Sequence, residues 1–342
     1  MKVWLLSTFI LISHLVLLNK KVKNMKIIGT GSVHPKKVVT NDMIAEFLDT
    51  SDEWITTRTG IKERRVITDE EMVDMAAEAS QKALDAAGVK SEDLDYIICS
   101  KTVNEYDTPG VSCIVEGKIG AYCPTLDING ACAGFEYALD IANSFFLSKP
   151  KMNYVLIVCA EEITRMVSWK ERENCVLFGD ASGAVVLTRS EVNHFKSFAL
   201  TNKSATPALF QKRVLQPTPF ITKKEEGGPL FMNGREVFKM AVTTSVRDIK
   251  QVVEEAGYKP DEIKYYLLHQ ANIRIIDYIR KKLGQTTEQF PHNIEKYGNT
   301  SSASIPCLLD ELIRDGKIEK GDKLVFSAFG AGFITGACML EW

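Results

Sequence analysis

The sequence has no Cys-x-x-Cys pair, and its five histidines and eight cysteines nowhere cluster at zinc spacing. A metal centre is therefore not expected. Neither charge is in excess: a net charge of −2 over 342 residues leaves no electrostatic footprint for nucleic acid. With 45% hydrophobic and 25% charged residues, the chain is too apolar for disorder and long enough for two domains or two packed halves. The one long apolar stretch, Val3 to Leu18, is broken by Ser7, Thr8, Ser13 and His14 and falls short of the ~20 residues of a spanning helix. No small-x-small cleavage site follows it. Residues 1–24 read as an upstream misread start ahead of Met25, with a membrane tether as the other reading. Both place them outside the fold.

The cysteines that are present sit mostly in apolar runs, such as Cys99 in DYIICS and Cys159 in YVLIVCAEE, where a free thiol serves as a small hydrophobe. A large chain with free thiols suits a reducing, cytoplasmic compartment. From Met25 onward, strands and helices alternate. The apolar runs DYIICSKTV, YVLIVCAEE and GAVVLT read as strands, and EEMVDMAAEASQKALDAAG reads as a helix with Gly88 beyond its C-terminus. The pattern predicts an α/β protein with mostly parallel sheets covered by helices. FGDASGAVVL at 178–187 is echoed by FGAGFITGACML at 329–340. That echo divides the chain into similar halves, 25–195 and 196–342, and two such halves would stack into five α/β/α/β/α layers. Residues 195–230 are less periodic and read as a long irregular segment capping a substrate channel.

Chemistry concentrates at TLDINGACAGFEYAL, which places Cys132 at a strand-to-helix turn among Gly130, Ala131, Ala133 and Gly134. A thiol at a helix N-terminus is expected to have a lowered pKa. By itself the motif fits a buried structural cysteine equally well. His269 ends the strand-like YYLLHQ, where a lone histidine is usually core. Asn299 lies in KYGNTSSASIP, which also reads as a helix-capping loop. Together the three form a less ordinary set: a sulfur nucleophile with two neutral hydrogen-bond donors, suited to thioester and enolate chemistry.

KIIGTGS, TSDEWITTRTGIKER, NGACAGFEYAL, FGDASGAVVL, HQANIRII, YGNTSSASIP and AFGAGF, in that order, resemble β-ketoacyl-acyl-carrier-protein synthase III of the thiolase superfamily across nearly all of residues 25–342. The resemblance implies the five-layer thiolase fold, a homodimer, and a Cys132–His269–Asn299 triad. It also implies condensation of an acyl-CoA primer with malonyl-acyl carrier protein, with no metal or redox cofactor. Phe329 matches the family phenylalanine that excludes water, and Ala331 stands where relatives commonly carry glycine in the oxyanion turn. Thr50, Trp54, Arg58, Arg172 and Asn272 match CoA-contacting positions. Lys239, Arg274, Lys281 and Lys282 match the patch that docks the carrier protein, and Arg235 extends it. Thr108 matches a residue that closes the acyl pocket across the dimer, where acetyl-specific relatives carry phenylalanine. A sibling condensing enzyme of secondary metabolism would share the same triad.

Overall fold

The computed structural model describes residues 24–214, 218–220 and 227–342. The expectations for residues 1–23 lie outside the described residues. A first sheet runs in the order Asn24–Val33, Ala181–Ser190, Tyr154–Glu161, Tyr96–Ser100, Thr125–Ile128. A second runs Tyr265–Leu268, Lys323–Gly330, Ile334–Glu341, Phe195–Asn202. The two share a plan. In each, a closing strand (181–190 or 334–341) lies antiparallel between an opening strand and its predecessor, followed by a parallel neighbour.

The sheets are mixed, not mostly parallel as the alternating pattern suggested. One antiparallel pair comes from a return too short for a crossover: only Ala331–Phe333 separates strand Lys323–Gly330 from Ile334–Glu341.

Both faces of each sheet are covered, which is why its central strands read as unbroken apolar runs. In the Tyr154–Glu161 strand, Val155, Ile157 and Cys159 join a core cluster with Phe135, Leu139 and Phe146 of helix Gly134–Ser148 and Leu308, Leu309 and Leu312 of helix Ser304–Arg314. Leu324, Phe326 and Leu340 of the second sheet meet the same cluster, so these two helices form the central layer. Leu156, Val158 and Ala160 face the opposite way, onto helices Met72–Ala87 and Val111–Ile119. Tyr266, Leu268, Val325 and Met339 pack on helices Gly234–Glu255 and Ile273–Leu283. The result is five layers, α/β/α/β/α. Gly88 ends its helix in the left-handed conformation at φ 64°, as its position predicts.

The segment from 195 corrects the sequence reading at its start. Phe195–Asn202 is the outer strand of the second sheet, with Phe195, Ser197 and Ala199 buried in alternation. Its alternating polar residues hid it. Beyond it, Leu209–Phe210 pairs with Phe231–Met232, and Leu209 to Val214 line the principal cavity. No helix among the described residues is long and apolar enough to cross a membrane.

Candidate active site

The Thr125–Ile128 strand delivers the chain into a crowded turn. Asn129 Oδ1 accepts the Ala131 N–H at 3.0 Å, and Ala131 holds φ 45°, a left-handed conformation rare for a residue with a side chain. Cys132 follows in the short 3₁₀ turn Ala131–Ala133, directly before helix Gly134–Ser148. A Cβ on Gly134 would stand 1.9 Å from Ser100 Oγ, so the helix reaches this depth only with glycine there. A Cβ on Gly130 would likewise stand 2.8 Å from Gly134 Cα, so both glycines are a steric requirement of the elbow.

Cys132 lines a cavity of about 1010 Å³ and is partly exposed to it. Burial pushes its thiol up to about 12, and the Glu161 and Glu136 carboxyls add to the rise. Ser301 works in the other direction, donating its hydroxyl to Sγ at 3.4 Å. This corrects the expectation of a lowered pKa. The helix N-terminus is in place, but burial is the largest influence on this thiol.

His269 and Asn299 open onto the same cavity. His269 follows strand Tyr265–Leu268, held by its backbone N–H to Ser327 O at 2.9 Å. Burial lowers its pKa to about 3, so the ring is neutral. Its Nδ1 lies 2.9 Å from Ser304 Oγ, which already accepts the Gln270 N–H at 3.3 Å. A Ser304 proton directed at Nδ1 would leave the hydrogen of the neutral ring on Nε2 as a donor. Asn299 is fixed in the same way: its Oδ1 accepts the Ser301 N–H at 2.9 Å, leaving Nδ2 as the outward donor. Phe329 meets the His269 ring edge-on at 5.4 Å and, with Phe333 stacked behind it, keeps that wall apolar.

Trp54, Arg58 and Asn272 also line the cavity. Ser51 caps the helix that carries Trp54 (Asp52–Thr59), and Arg58 and Arg172 approach the Trp54 ring centroid at 4.7 and 4.9 Å. Asn272 caps helix Ile273–Leu283 through the Arg274 N–H at 2.9 Å and donates to Arg58 O at 3.2 Å, which ties the two helices together. Thr50 and Arg172 stand outside the lining. Arg235, Lys239, Arg274, Lys281 and Lys282 are exposed on two adjacent helices, joined by an edge-to-face contact of Phe238 with Tyr278 at 5.3 Å. Lys281 is paired with Asp277 at 2.6 Å. Thr108 is exposed and lies outside the cavity wall of its own subunit.

Residues 126–204 match the family described as 3-oxoacyl-[acyl-carrier-protein] synthase III, and residues 253–342 match the C-terminal part of the same enzyme. A β-ketoacyl-[acyl-carrier-protein] synthase III from Aquifex aeolicus is 42% identical over 320 residues, 93% of this chain and 99% of the relative. One from Clostridium acetobutylicum is 40% identical, covering 94% and 99%. The chain belongs to the β-ketoacyl-[acyl-carrier-protein] synthase III family. It is thus an acyl-transferring condensing enzyme with the thiolase-like five-layer fold. The crystal structure of the Aquifex aeolicus synthase III superimposes with a TM-score of 0.87 at 41% identity, over 93% of this chain and 100% of the other. A priming β-ketosynthase from the R1128 polyketide pathway also gives 0.87, at 32% identity and covering 93% and 96%.

For a synthase III, two further features of this site escaped sequence reasoning. Ser301 and Ser304 orient Asn299 and His269. Ser301 does so through its backbone N–H, which leaves no mark in the sequence, and Ser304 through its hydroxyl. The second is Gly330, where a Cβ would stand 2.6 Å from the Cys132 nitrogen. The space in front of that N–H is therefore kept open by the absence of a side chain. Ala331 follows in the same turn and lines the cavity.

Proposed function

We propose that this synthase III performs the initiating condensation of fatty-acid synthesis, joining an acyl-CoA primer to malonyl-acyl carrier protein through a Cys132 thioester. The observation supporting it is one shared cavity lined by Cys132, His269 and Asn299, with Ser304 and the Ser301 N–H holding the last two. The sulfur attacks the primer carbonyl, CoA leaves as a thiolate, and the acyl group stays on Sγ. The N–H groups of Cys132 and Ala331 hold the oxyanion of that step. The malonyl thioester carbonyl then sits between His269 Nε2–H and Asn299 Nδ2–H. Loss of carbon dioxide places charge on that oxygen, and two neutral donors stabilise it as an enolate. The enolate carbon attacks the acyl group, and collapse expels the Cys132 sulfur and frees the 3-oxoacyl carrier protein. Phe329 keeps water from the enolate. The scheme uses no metal or redox cofactor.

The test separates the half-reactions. His269→Ala and Asn299→Ala are expected to keep most burst acylation of Cys132 while losing ~10²–10³-fold in malonyl decarboxylation, the scale of a single lost oxyanion-type donor. Burst acylation that disappears in both variants would place these residues in the wrong step.

At the mouth, the CoA adenine would slide between Trp54 and Arg172, with Arg58, Thr50 and Asn272 along its path. The basic patch of Arg235, Lys239, Arg274, Lys281 and Lys282 suits an acidic carrier protein. Arg274→Glu is expected to raise the KM for malonyl-acyl carrier protein and spare acylation by acyl-CoA, and high salt should narrow its gap from wild type. Steady-state kinetics with each substrate varied in turn would show it. Equal damage to both substrates would rule out docking.

The site is read as cytoplasmic and homodimeric. The outer edge of strand Thr125–Ile128 is unpaired among the described residues, with Leu126 37% exposed, a surface open to a second copy. Across such a dimer, Thr108 would close the partner's acyl pocket with far less bulk than phenylalanine. Acyl-CoAs longer than acetyl are therefore expected to compete well, with Thr108→Phe restoring short-chain preference, since one methylene is worth roughly 1–3 kcal/mol of discrimination. Competition between acetyl- and isobutyryl-CoA measures this, and strict acetyl preference in the wild type would defeat it. Priming of a polyketide pathway is the second reading, favoured by the likeness to the R1128 priming ketosynthase.

A further inference from the structure

Behind the cavity wall lies a buried carboxylate that the scheme above leaves unused. Glu161 ends the central strand Tyr154–Glu161, is wholly buried and does not line the cavity. Its Oε1 accepts from Ser302 Oγ at 2.6 Å and Thr102 Oγ1 at 3.2 Å, and its Oε2 accepts the Thr102 N–H at 3.0 Å. These hydrogen-bond partners are all uncharged. Two hydroxyls connect it to the nucleophile. Thr102 Oγ1 lies 3.5 Å from Ser301 Oγ, and Ser301 Oγ is the group 3.4 Å from Cys132 Sγ.

The titratable groups around it do not compete for its role. Burial raises the pKa of the Cys99, Cys132 and Cys159 thiols, and also that of the Glu136 carboxyl on the helix that follows Cys132. Lys101 gives its Nζ to Tyr106 O at 2.8 Å and lies 3.8 Å from Asp127. Glu162 is also pushed up to about 7 by burial, but it faces Arg165 at 3.6 Å and no hydroxyl chain joins it to Cys132 among the described residues. Glu161 itself is pushed up to about 7 by burial, so near neutral pH it can both accept and release a proton.

We propose that Glu161 takes the Cys132 thiol proton through Ser301 and Thr102 during acylation, stores it, and returns it when condensation releases the sulfur. The inference rests on Cys132 being the acylated nucleophile. In acylation, the Cys132 S–H bond and the primer's C–S bond break, while a Cys132 S–C bond and a Glu161 O–H bond form. The Ser301 hydroxyl, which donates to Sγ at rest, first turns its proton to Thr102; each hydroxyl then accepts one proton and passes on its own. CoA departs as a thiolate and takes a proton from solvent. In condensation, the electron pair of the breaking S–C bond returns to sulfur, and the Glu161 proton travels back to it. One solvent proton is consumed per turnover, and it ends on CoA. The relay removes a difficulty of the site: a thiol held near 12 does not ionise unaided at neutral pH.

The test is single-turnover acylation by acetyl-CoA, followed by rapid quench and intact-protein mass across mildly acidic to alkaline pH. The wild-type rate should rise with pH through an inflection near 7, as Glu161 becomes the free base. Glu161→Gln should lose ~10²-fold at neutral pH, the lower end of general-base effects, and lose the inflection. Glu161→Asp should restore part of both. If Glu161→Gln fails to fold, Ser301→Ala decides, because it cuts the relay while leaving the Ser302 and Thr102 contacts of Glu161 in place. It too should lose the inflection while melting like wild type. A folded Glu161→Gln or Ser301→Ala protein that binds acyl-CoA normally and keeps both rate and inflection overturns the proposal. Absence of any wild-type acylation would instead overturn the Cys132 reading, and this inference with it.

Discussion

Cys132→Ser is expected to leave a folded protein without measurable condensing activity. The exchange is nearly isosteric, and the hydroxyl can keep the contact with Ser301 that Sγ makes at 3.4 Å. Thermal melting should therefore be close to that of wild type. Chemistry is another matter. A serine hydroxyl is a far weaker acid than a thiol, and a carboxylate poised near 7 is too weak a base to activate it. The loss should be on the order of 10⁴-fold or more, as expected when a covalent catalyst loses its nucleophile. Condensation near the wild-type rate would exclude Cys132 from that role.

Gly330→Ala should damage both half-reactions, unlike the changes at His269 and Asn299. Gly330 is extended at φ −154°, so alanine suits its backbone and strain is not the issue. The obstacle is space. The new Cβ would stand 2.6 Å from the Cys132 nitrogen and 2.8 Å from the Ala131 Cβ, inside van der Waals contact. Either the methyl occupies the place where an oxyanion meets the Cys132 N–H, or the elbow shifts away from its partners. Losing one such donor costs ~10²–10³-fold, here expected in acylation and condensation alike. Burst kinetics with acyl-CoA and steady-state turnover with both substrates would measure the two losses separately. A variant with normal acylation would show that this N–H does not hold the acylation oxyanion.

Much of this site was legible in the sequence because close packing leaves marks on residue choice. Gly134 beside Cys132 is demanded by Ser100 one side chain away, and FGDASGAVVL and FGAGFITGACML reflect a strand that closes each sheet. Cys132, His269 and Asn299 could be singled out, and the fold brings them to one cavity. What stayed hidden depends on three-dimensional partners. Nothing in NTSSAS says that the Ser301 N–H holds the Asn299 amide while the Ser304 hydroxyl meets the His269 ring. Glu161 and Glu162 are neighbours at the end of YVLIVCAEE, yet one is sealed behind the nucleophile and the other faces Arg165. The raised thiol pKa was missed for a similar reason: the helix N-terminus is visible in sequence, whereas the depth of burial is not. The strand Phe195–Asn202 was overlooked because an outer strand, half-exposed along one face, lacks the continuous apolar run that marked the central ones.

The central claim is that Cys132 carries the acyl group between the two substrates. It is tested most directly by the mass of the intact protein after incubation with a panel of acyl-CoAs, followed by peptide mapping. The account predicts one acyl group per chain, located on Cys132 and discharged when malonyl-acyl carrier protein is added. A protein that makes the 3-oxoacyl product while remaining unacylated, or that carries the group on another residue, would contradict it.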